Sequence, residues 1–245
     1  MKAMVLAAGL GTRLRPLTND RPKALVEVAG HTLLEITLAR LREFGVTDVI
    51  VNVHHFADMV VEYLKSHDNF GMKIEVSRED VLLDTGGGLK NAGWFFAGDV
   101  EPFLLHNADV ISTIDLARMV SFHKDSGALA TLAVQDRETS RYLLFDEQNL
   151  LCGRRAGRNG KAEMVRHSRQ TQALAFSGIQ VISPRLLGML SEDGIFSIIT
   201  SYLRLAAQGE NVLAFRADEY YWRDLGKPEN VARAAEDMKQ GLLRR

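Results

Sequence analysis

The residue types best suited to chemistry crowd into the first 25 positions of this 245-residue chain. Leu6-Ala7-Ala8-Gly9-Leu10-Gly11-Thr12-Arg13-Leu14-Arg15-Pro16-Leu17-Thr18 runs closely into Pro22-Lys23. Small residues at Ala7, Ala8, Gly9 and Gly11 let the backbone approach a phosphate and aim its N–H groups at the oxygens. Lys2, Arg13, Arg15, Arg21 and Lys23 face a single anion there, Asp20. The chain as a whole is balanced, with 30 Lys and Arg against 31 Asp and Glu and a formal net charge of −1. A local basic cluster in a neutral chain points to a small polyanion as ligand and argues against a nucleic-acid or anionic-membrane coat.

Two common phosphate-binding patterns fail on spacing. A dinucleotide fingerprint starting at Gly9 needs a third small residue at position 14, which is Leu14, and Pro16 would interrupt the helix that should begin there. The P-loop pattern is missing because Gly-Lys-Ser/Thr does not follow the loop. Elsewhere, Asp109 follows the apolar run Phe103-Leu104-Leu105 within His106-Asn107-Ala108-Asp109, and Asp224 follows Tyr220-Tyr221-Trp222. Both aspartates stand where strands should end, which is where open α/β sheets bind ligands, although either one alone would be a cap or turn residue more often than a ligand. None of the seven histidines, His54, His55 and His106 included, has metal-ligand spacing, so all are taken as structural or solvated. Cys152 is the only cysteine; it excludes an internal disulfide and fits a reducing, cytoplasmic setting.

Elements that could position these residues are visible in the hydrophobic pattern. Residues 2–7 read as a buried strand entering the glycine loop. Thr32-Leu33-Leu34-Glu35 reads as a capping box, with Thr32 over the first turn and Glu35 reaching back, before a helix carrying Leu34, Leu38 and Leu41. Strand 48–53, helix 57–65, strand 72–76, helix 88–96, strand 102–106, helix 115–125 and strand 128–135 then alternate, which predicts a largely parallel sheet with helices on both faces. Beyond it, 142–145 and 150–153 flank a turn as a hairpin, and 153–170 reads as a mobile loop. A strand over 174–182, helices near 184–190 and 195–207, strands at 212–215 and ending near 222, and a last helix started by Pro228 complete the order. The expectation is one α/β domain over 1–245 with a Rossmann-like wound mixed sheet. No run reaches the roughly 18 to 20 apolar residues needed to cross a bilayer, so no membrane association is expected.

Gly-Leu-Gly-Thr-Arg-Leu-Arg-Pro-Leu-Thr followed by Pro-Lys resembles the signature of the sugar-1-phosphate nucleotidyltransferases. The resemblance spans Met1 to about Met238 and implies an NTP and a sugar 1-phosphate as substrates. It implies that Arg13 engages the triphosphate and helps pyrophosphate leave, while Lys23 holds the reacting phosphates. Leu6, Ala8, Gly9, Gly11 and Thr12 would lie against the nucleotide with Arg13, and Asn107 beside it. Thr85, Gly86 and Gly87, in Leu83-Asp84-Thr85-Gly86-Gly87-Gly88-Leu89, resemble the family's base-recognition loop, and Ser177-Gly178 its sugar-contacting turn. Asp109 and Asp224 match the positions that hold Mg2+, with Ala108 where a glycine is more usual. The Glu-Lys-Pro motif that holds the sugar phosphate in many relatives has no counterpart; Lys161, Arg154 and Arg155 lie in the right region without its spacing.

The nucleophile of such a reaction is a phosphate already anionic at neutral pH, so no general base is required and cations plus a divalent metal carry the electrostatic work. About 1–135 would then form the nucleotide part, and about 136–245 the sugar-phosphate part with the C-terminal helix. The length leaves no room for a hexapeptide-repeat domain, and the oligomeric state stays open to a homo-oligomer. Within the family, the Asp-Thr-Gly-Gly-Gly segment and compact length look most like the N-acetylmuramate 1-phosphate uridylyltransferases of cell-wall recycling. Short mannose-1-phosphate guanylyltransferases and heptose 1-phosphate nucleotidyltransferases are the alternatives. A non-catalytic nucleotide-sugar-binding subunit is the alternative of another class, disfavoured by the joint presence of Arg13, Lys23, Asp109 and Asp224.

Overall fold

Alternation of inward and outward apolar residues along the first strands sets the layers. In a computed structural model, which describes residues 1–242, β1 (Lys2–Leu6) sends Ala3 and Val5 to one face and Met4 to the other. It pairs in parallel with β4 (Asp48–Val53), reached through two short strands, β2 (Glu27–Val28) and β3 (His31–Thr32), and helix α1 (Leu33–Glu43). Helix α2 (Ala57–Ser66) crosses to β5 (Lys73–Arg78), parallel to β4. Helix α3 (Asp84–Asn91) leads to β6 (Phe103–Asn107), parallel to β1 on its other side. The expected wound half is therefore a parallel β6-β1-β4-β5 block.

The remaining strands make the sheet mixed. After β7 (Val110–Ser112) and α4 (Leu116–Ser126) come β8 (Ala130–Gln135), β9 (Arg141–Phe145), β10 (Leu151–Ala156) and β11 (Ala162–Met164). The long β12 (Gln172–Ile182) runs antiparallel to β6, β8 and β9 and joins the two halves. Helix α5 (Ile198–Ala207), β13 (Val212–Arg216), β14 (Trp222–Asp224) and α6 (Pro228–Lys239) finish the chain, and β13 lies parallel to β8. The sheet order is β11-β10-β9-β12-β6-β1-β4-β5. Helices α1, α2 and α4 cover one face and α3 with α5 the other. A third apolar cluster gathers Leu14, Val26, Leu33, Ile111, Leu225 and Val231, so the glycine-loop segment, α1, β7 and α6 share one anchor. Among the described residues no helix is long and apolar enough to cross a membrane.

Three local expectations change away from the site. Residues 153–170 are not one loop, because β10 continues to Ala156 and β11 returns antiparallel, Arg154 opposite Glu163. Near 184–190 the chain forms a 3-10 turn, Pro184–Met189, instead of an α-helix. At the start of α1 only half the capping box forms: the Glu35 amide donates to Thr32 Oγ1 (3.1 Å), but the Glu35 carboxylate turns to His31 Nδ1 (2.8 Å) and the Tyr63 hydroxyl.

Candidate active site

The site lies at the carboxyl ends of the parallel strands, where β1 stops and its successor loop must be held. Leu6 is in register with Asn52 on one side and Asn107 on the other. The Ala7 amide donates to Asn52 Oδ1 (2.8 Å), Asn52 Nδ2 donates to Glu79 Oε1 (2.7 Å), and Glu79 Oε2 accepts the Leu83 amide (2.9 Å). This relay fixes the glycine loop to the entrance of α3. Gly11 has φ +65°, and a Cβ there would come within 2.9 Å of Thr18 Cγ2. The Thr18 hydroxyl donates to the Gly11 carbonyl (2.8 Å), so a non-glycine residue would be strained and crowded at once. Leu14 is fully buried in the third cluster, which leaves its neighbours Arg13 and Arg15 facing solvent.

Lys23 sits on a 3-10 turn, Lys23–Leu25, whose other two residues are buried. Its Nζ pairs with Asp109 Oδ2 across 86 residues of chain, with both side chains largely shielded. Asp109 is placed by two backbone bonds: the Ala108 amide donates to the Leu6 carbonyl (3.0 Å), and the Asp109 carbonyl accepts the Leu225 amide (2.8 Å). The β7–β14 pairing sets Asp224 opposite Val110, so both aspartates reach the same edge. Asp224 Oδ1 accepts the Gly226 amide (2.8 Å), and Asn230 Nδ2 donates to the Asp224 carbonyl (2.8 Å). A Cβ on Gly226 would lie 2.7 Å from Asp224 Oδ1 and 3.0 Å from Arg13 Nη2, which places Arg13 beside Asp224 and explains the glycine. Ala108 is buried, with its methyl in the core cluster, so it is absorbed by packing.

A cavity of about 360 Å³ opens here, lined by Leu6, Ala8, Gly9, Lys23, Asn107 and Asp109. Leu82, Asp84, Thr85 and Ile195 line it as well. The segment read as a base-recognition loop is helical: Asp84–Asn91 is α3. The amides of Gly86 and Gly87 donate to the Phe196 carbonyl (2.9 and 3.2 Å), and Thr85 Oγ1 accepts the Ile198 amide (3.0 Å). Gly86 and Gly87 thus spend their donors inside the protein, whereas Asp84 and Thr85 face the cavity. Gly87 abuts the 194–197 segment: a Cβ there would lie 2.5 Å from the Gly194 carbonyl oxygen and 2.9 Å from Leu83 Cβ. Gly87→Ala should therefore destabilise the fold by about 1–3 kcal/mol despite alanine's better helix propensity. Thermal denaturation reads this as a fall of about 2–4 °C per kcal/mol; an unchanged or raised Tm would refute the packing account.

Ser177 and Gly178 occupy a bulge in β12, where the register with β8 shifts between Phe176 and Gln180. Gly178 has φ +75° and lies against Asn107, whose Nδ2 would be 2.9 Å from a Cβ at this position. The Ser177 carbonyl accepts Trp222 Nε1 (2.7 Å), which ties this turn to β14 and hence to Asp224. Asn52, Leu82, Asp84 and Ile195 were not singled out in the sequence. A signal existed for Asn52, the polar interruption in the otherwise apolar Val49-Ile50-Val51-Asn52-Val53.

His106, next to Asn107 in the chain, is not equipped for acid–base work. His106 is buried on β6 and its Nδ1 donates to the Asn107 carbonyl (2.8 Å); burial pushes its pKa down to about 4, so the ring is neutral at physiological pH. Cys152 is likewise buried, and its thiol is pushed up to about 11 mainly by desolvation, which keeps it a thiol. What the site presents instead is Lys23 and Arg13 beside two carboxylates. No group of three or more His, Cys, Asp or Glu side chains suited to a metal occurs among the described residues.

The nucleotidyl transferase family model matches residues 2–146. An N-acetylmuramate alpha-1-phosphate uridylyltransferase of Caulobacter vibrioides is 34% identical, with 93% of this chain and 92% of that protein covered. A mannose-1-phosphate guanylyltransferase catalytic subunit beta of Dictyostelium discoideum is 28% identical, covering 94% of this chain and 62% of that protein. Among solved structures, HddC from Yersinia pseudotuberculosis complexed with GMP-PN superposes with a TM-score of 0.75 at 23% identity, covering 97% of this chain and 99% of that one. The inositol-1-phosphate CTP transferase from T. maritima gives a TM-score of 0.76 at 20% identity, covering 99% and 98%. The chain belongs to the nucleotidyl transferase family and is a sugar-1-phosphate nucleotidyltransferase.

Proposed function

We propose that this chain transfers a uridylyl group from UTP to N-acetylmuramate 1-phosphate, releasing pyrophosphate. The observation that carries the reaction is the cavity at the carboxyl ends of β1 and β6, with Lys23 paired to Asp109 and with Asp224 and Arg13 on the adjoining edge. The substrate choice rests on the Caulobacter vibrioides relative, which matches this chain over almost its entire length. Residues 1–135 receive the nucleotide and 136–245 the sugar phosphate.

The glycine loop, with its backbone pinned by Asn52, offers Gly9 and Ala8 to the nucleotide. Lys23 exchanges Asp109 for the reacting phosphates and offsets the charge that builds between two anions brought into line. Arg13 attends the departing pyrophosphate. Asp109 and Asp224 would hold Mg2+, and the pair fits because magnesium takes one or two carboxylates with phosphate oxygens and waters filling the remainder. Bound there, the ion would supply charge neutralisation at the phosphates.

The test is a matrix of four nucleoside triphosphates against N-acetylmuramate 1-phosphate, mannose 1-phosphate and a heptose 1-phosphate, scored for pyrophosphate. UTP with N-acetylmuramate 1-phosphate is expected to exceed every other pair by about tenfold or more in kcat/KM. A higher value for GTP with mannose 1-phosphate would overturn the substrate assignment and leave the reaction class standing.

A further inference from the structure

Arg137 is a shielded arginine of the second half with no carboxylate within ion-pair distance among the described residues. It lies in the connection between β8 and β9, half-buried, with its guanidinium carbon 3.6 Å from the centre of the Trp222 ring. Nη2 donates to the Phe176 carbonyl (2.8 Å), and Nε is buried with no partner among the described residues. Burial works against the charge, while Asp224 favours it from a distance. A guanidinium does not shed its proton at physiological pH, so the protein carries a shielded cation with a donor unused. Such a group is costly unless an anion completes it.

The surroundings fix this cation in place. Trp222 is itself held by its Nε1 bond to the Ser177 carbonyl, and Arg137 by its bond to the preceding carbonyl, so both report to the turn that carries Gly178. Asp224 is two residues beyond Trp222 on the same strand. Several other basic residues of this half are already paired. Arg154 is exposed and paired to Glu163 (2.7 Å), Arg216 to Asp218 (2.7 Å), and Arg223 to Asp237 (2.6 Å). Arg155 also has a buried Nε without a partner among the described residues, but its guanidinium stands farther from its ring, 5.8 Å from the centre of Tyr142 against 3.6 Å for Arg137 on Trp222, and Lys161 is exposed in the turn between β10 and β11.

We propose that Arg137, stacked on Trp222, binds the phosphate of the sugar 1-phosphate and presents it at the Asp224 edge of the cavity. This rests on the reading that the Asp224 side receives the acceptor substrate. A stacked guanidinium is preorganised to bond phosphate oxygens through two parallel N–H groups, so little freedom is lost on binding. It supplies the anion hold for which the sequence offers no Glu-Lys-Pro lysine.

The test separates the two substrates. Arg137→Gln should raise KM for the sugar 1-phosphate by about 10- to 150-fold, the loss expected for one charge-assisted hydrogen bond, and leave KM for the NTP within about twofold. Arg137→Lys should recover only part of this, because an ammonium lacks the planar fork. It also provides a folded comparison should the glutamine variant prove unstable. Trp94 and Trp222 are the two tryptophans, so in a Trp94→Phe background the emission comes from Trp222 alone. Adding N-acetylmuramate 1-phosphate should change that emission, N-acetylmuramate without phosphate should not, and Arg137→Gln should abolish the response.

A rise confined to the NTP, an unchanged sugar-phosphate KM, or a response that persists in Arg137→Gln would overturn the proposal. So would an absent response in the Trp94→Phe protein, or a larger effect from Arg155→Gln. If another substrate pair proves active in the matrix, the kinetics and the titration are run with that sugar 1-phosphate. In that case the N-acetylmuramate assignment fails while Arg137 is still judged.

Discussion

Lys23→Met lowers kcat by about two to three powers of ten while KM for either substrate moves far less, because the lysine's main interaction is made with charge that builds in the transition state. The geometry supports this size of effect. The ammonium is already held at the reaction edge by Asp109, on a turn whose Ala24 and Leu25 are buried, so it needs only a short exchange of partner to meet a phosphate. Being shielded, it acts in a medium where a unit charge counts for more than it would in water. Methionine keeps much of the side-chain volume and removes the charge, leaving Asp109 without its cation. The measurement is steady-state pyrophosphate release with each substrate varied in turn, with Tm recorded so that partial unfolding is not mistaken for lost chemistry. A variant with wild-type kcat and a raised KM would make Lys23 a simple binding residue.

Legibility in the sequence followed the physical origin of each element. The parallel half could be read because buried strands such as Asp48–Val53 and amphipathic helices such as Leu33–Glu43 write their burial into apolar spacing. The β10–β11 return could not. All three residues of β11 are exposed and the strand needs no apolar alternation; it exists because backbone groups pair, with Gly153 allowing close approach to Glu163 and Met164. The start of α3 misled for the opposite reason. Three consecutive glycines are poor helix formers, yet each lies where a Cβ would strike Phe196, Gly194, or Asn52 and Glu79, so packing overrides propensity.

The candidate site divides in the same way. The glycine loop with Arg13 and Lys23 is contiguous and dense, hence visible. That Asp109 and Asp224 share one edge is a property of the three-residue strands β7 and β14, too short to carry a periodic signal. Arg137, between Asp136 and Glu138 in the sequence, was not singled out there; only the fold shows that it stacks on Trp222.

Asp224→Ala should cut pyrophosphate release in the presence of magnesium by about two powers of ten or more, as expected if the carboxylate helps hold the charge that offsets the phosphates. The strand that carries it does not depend on the side chain: β14 pairs with β7 through backbone, and Asn230 Nδ2 bonds the Asp224 carbonyl. What alanine removes besides charge is the acceptor for the Gly226 amide, which could loosen the turn beside Arg13. Asp224→Asn separates the two effects, since its Oδ1 retains that acceptor and loses only the charge. If the carboxylate acts on the metal, asparagine is nearly as damaging as alanine, the magnesium concentration giving half-maximal rate rises, and Mn2+ binding measured with UTP present weakens in both variants. If Asp224 serves only the turn, asparagine restores turnover and Mn2+ binding is unchanged in both, and the pair with Asp109 would then lose its role as the metal's anchor.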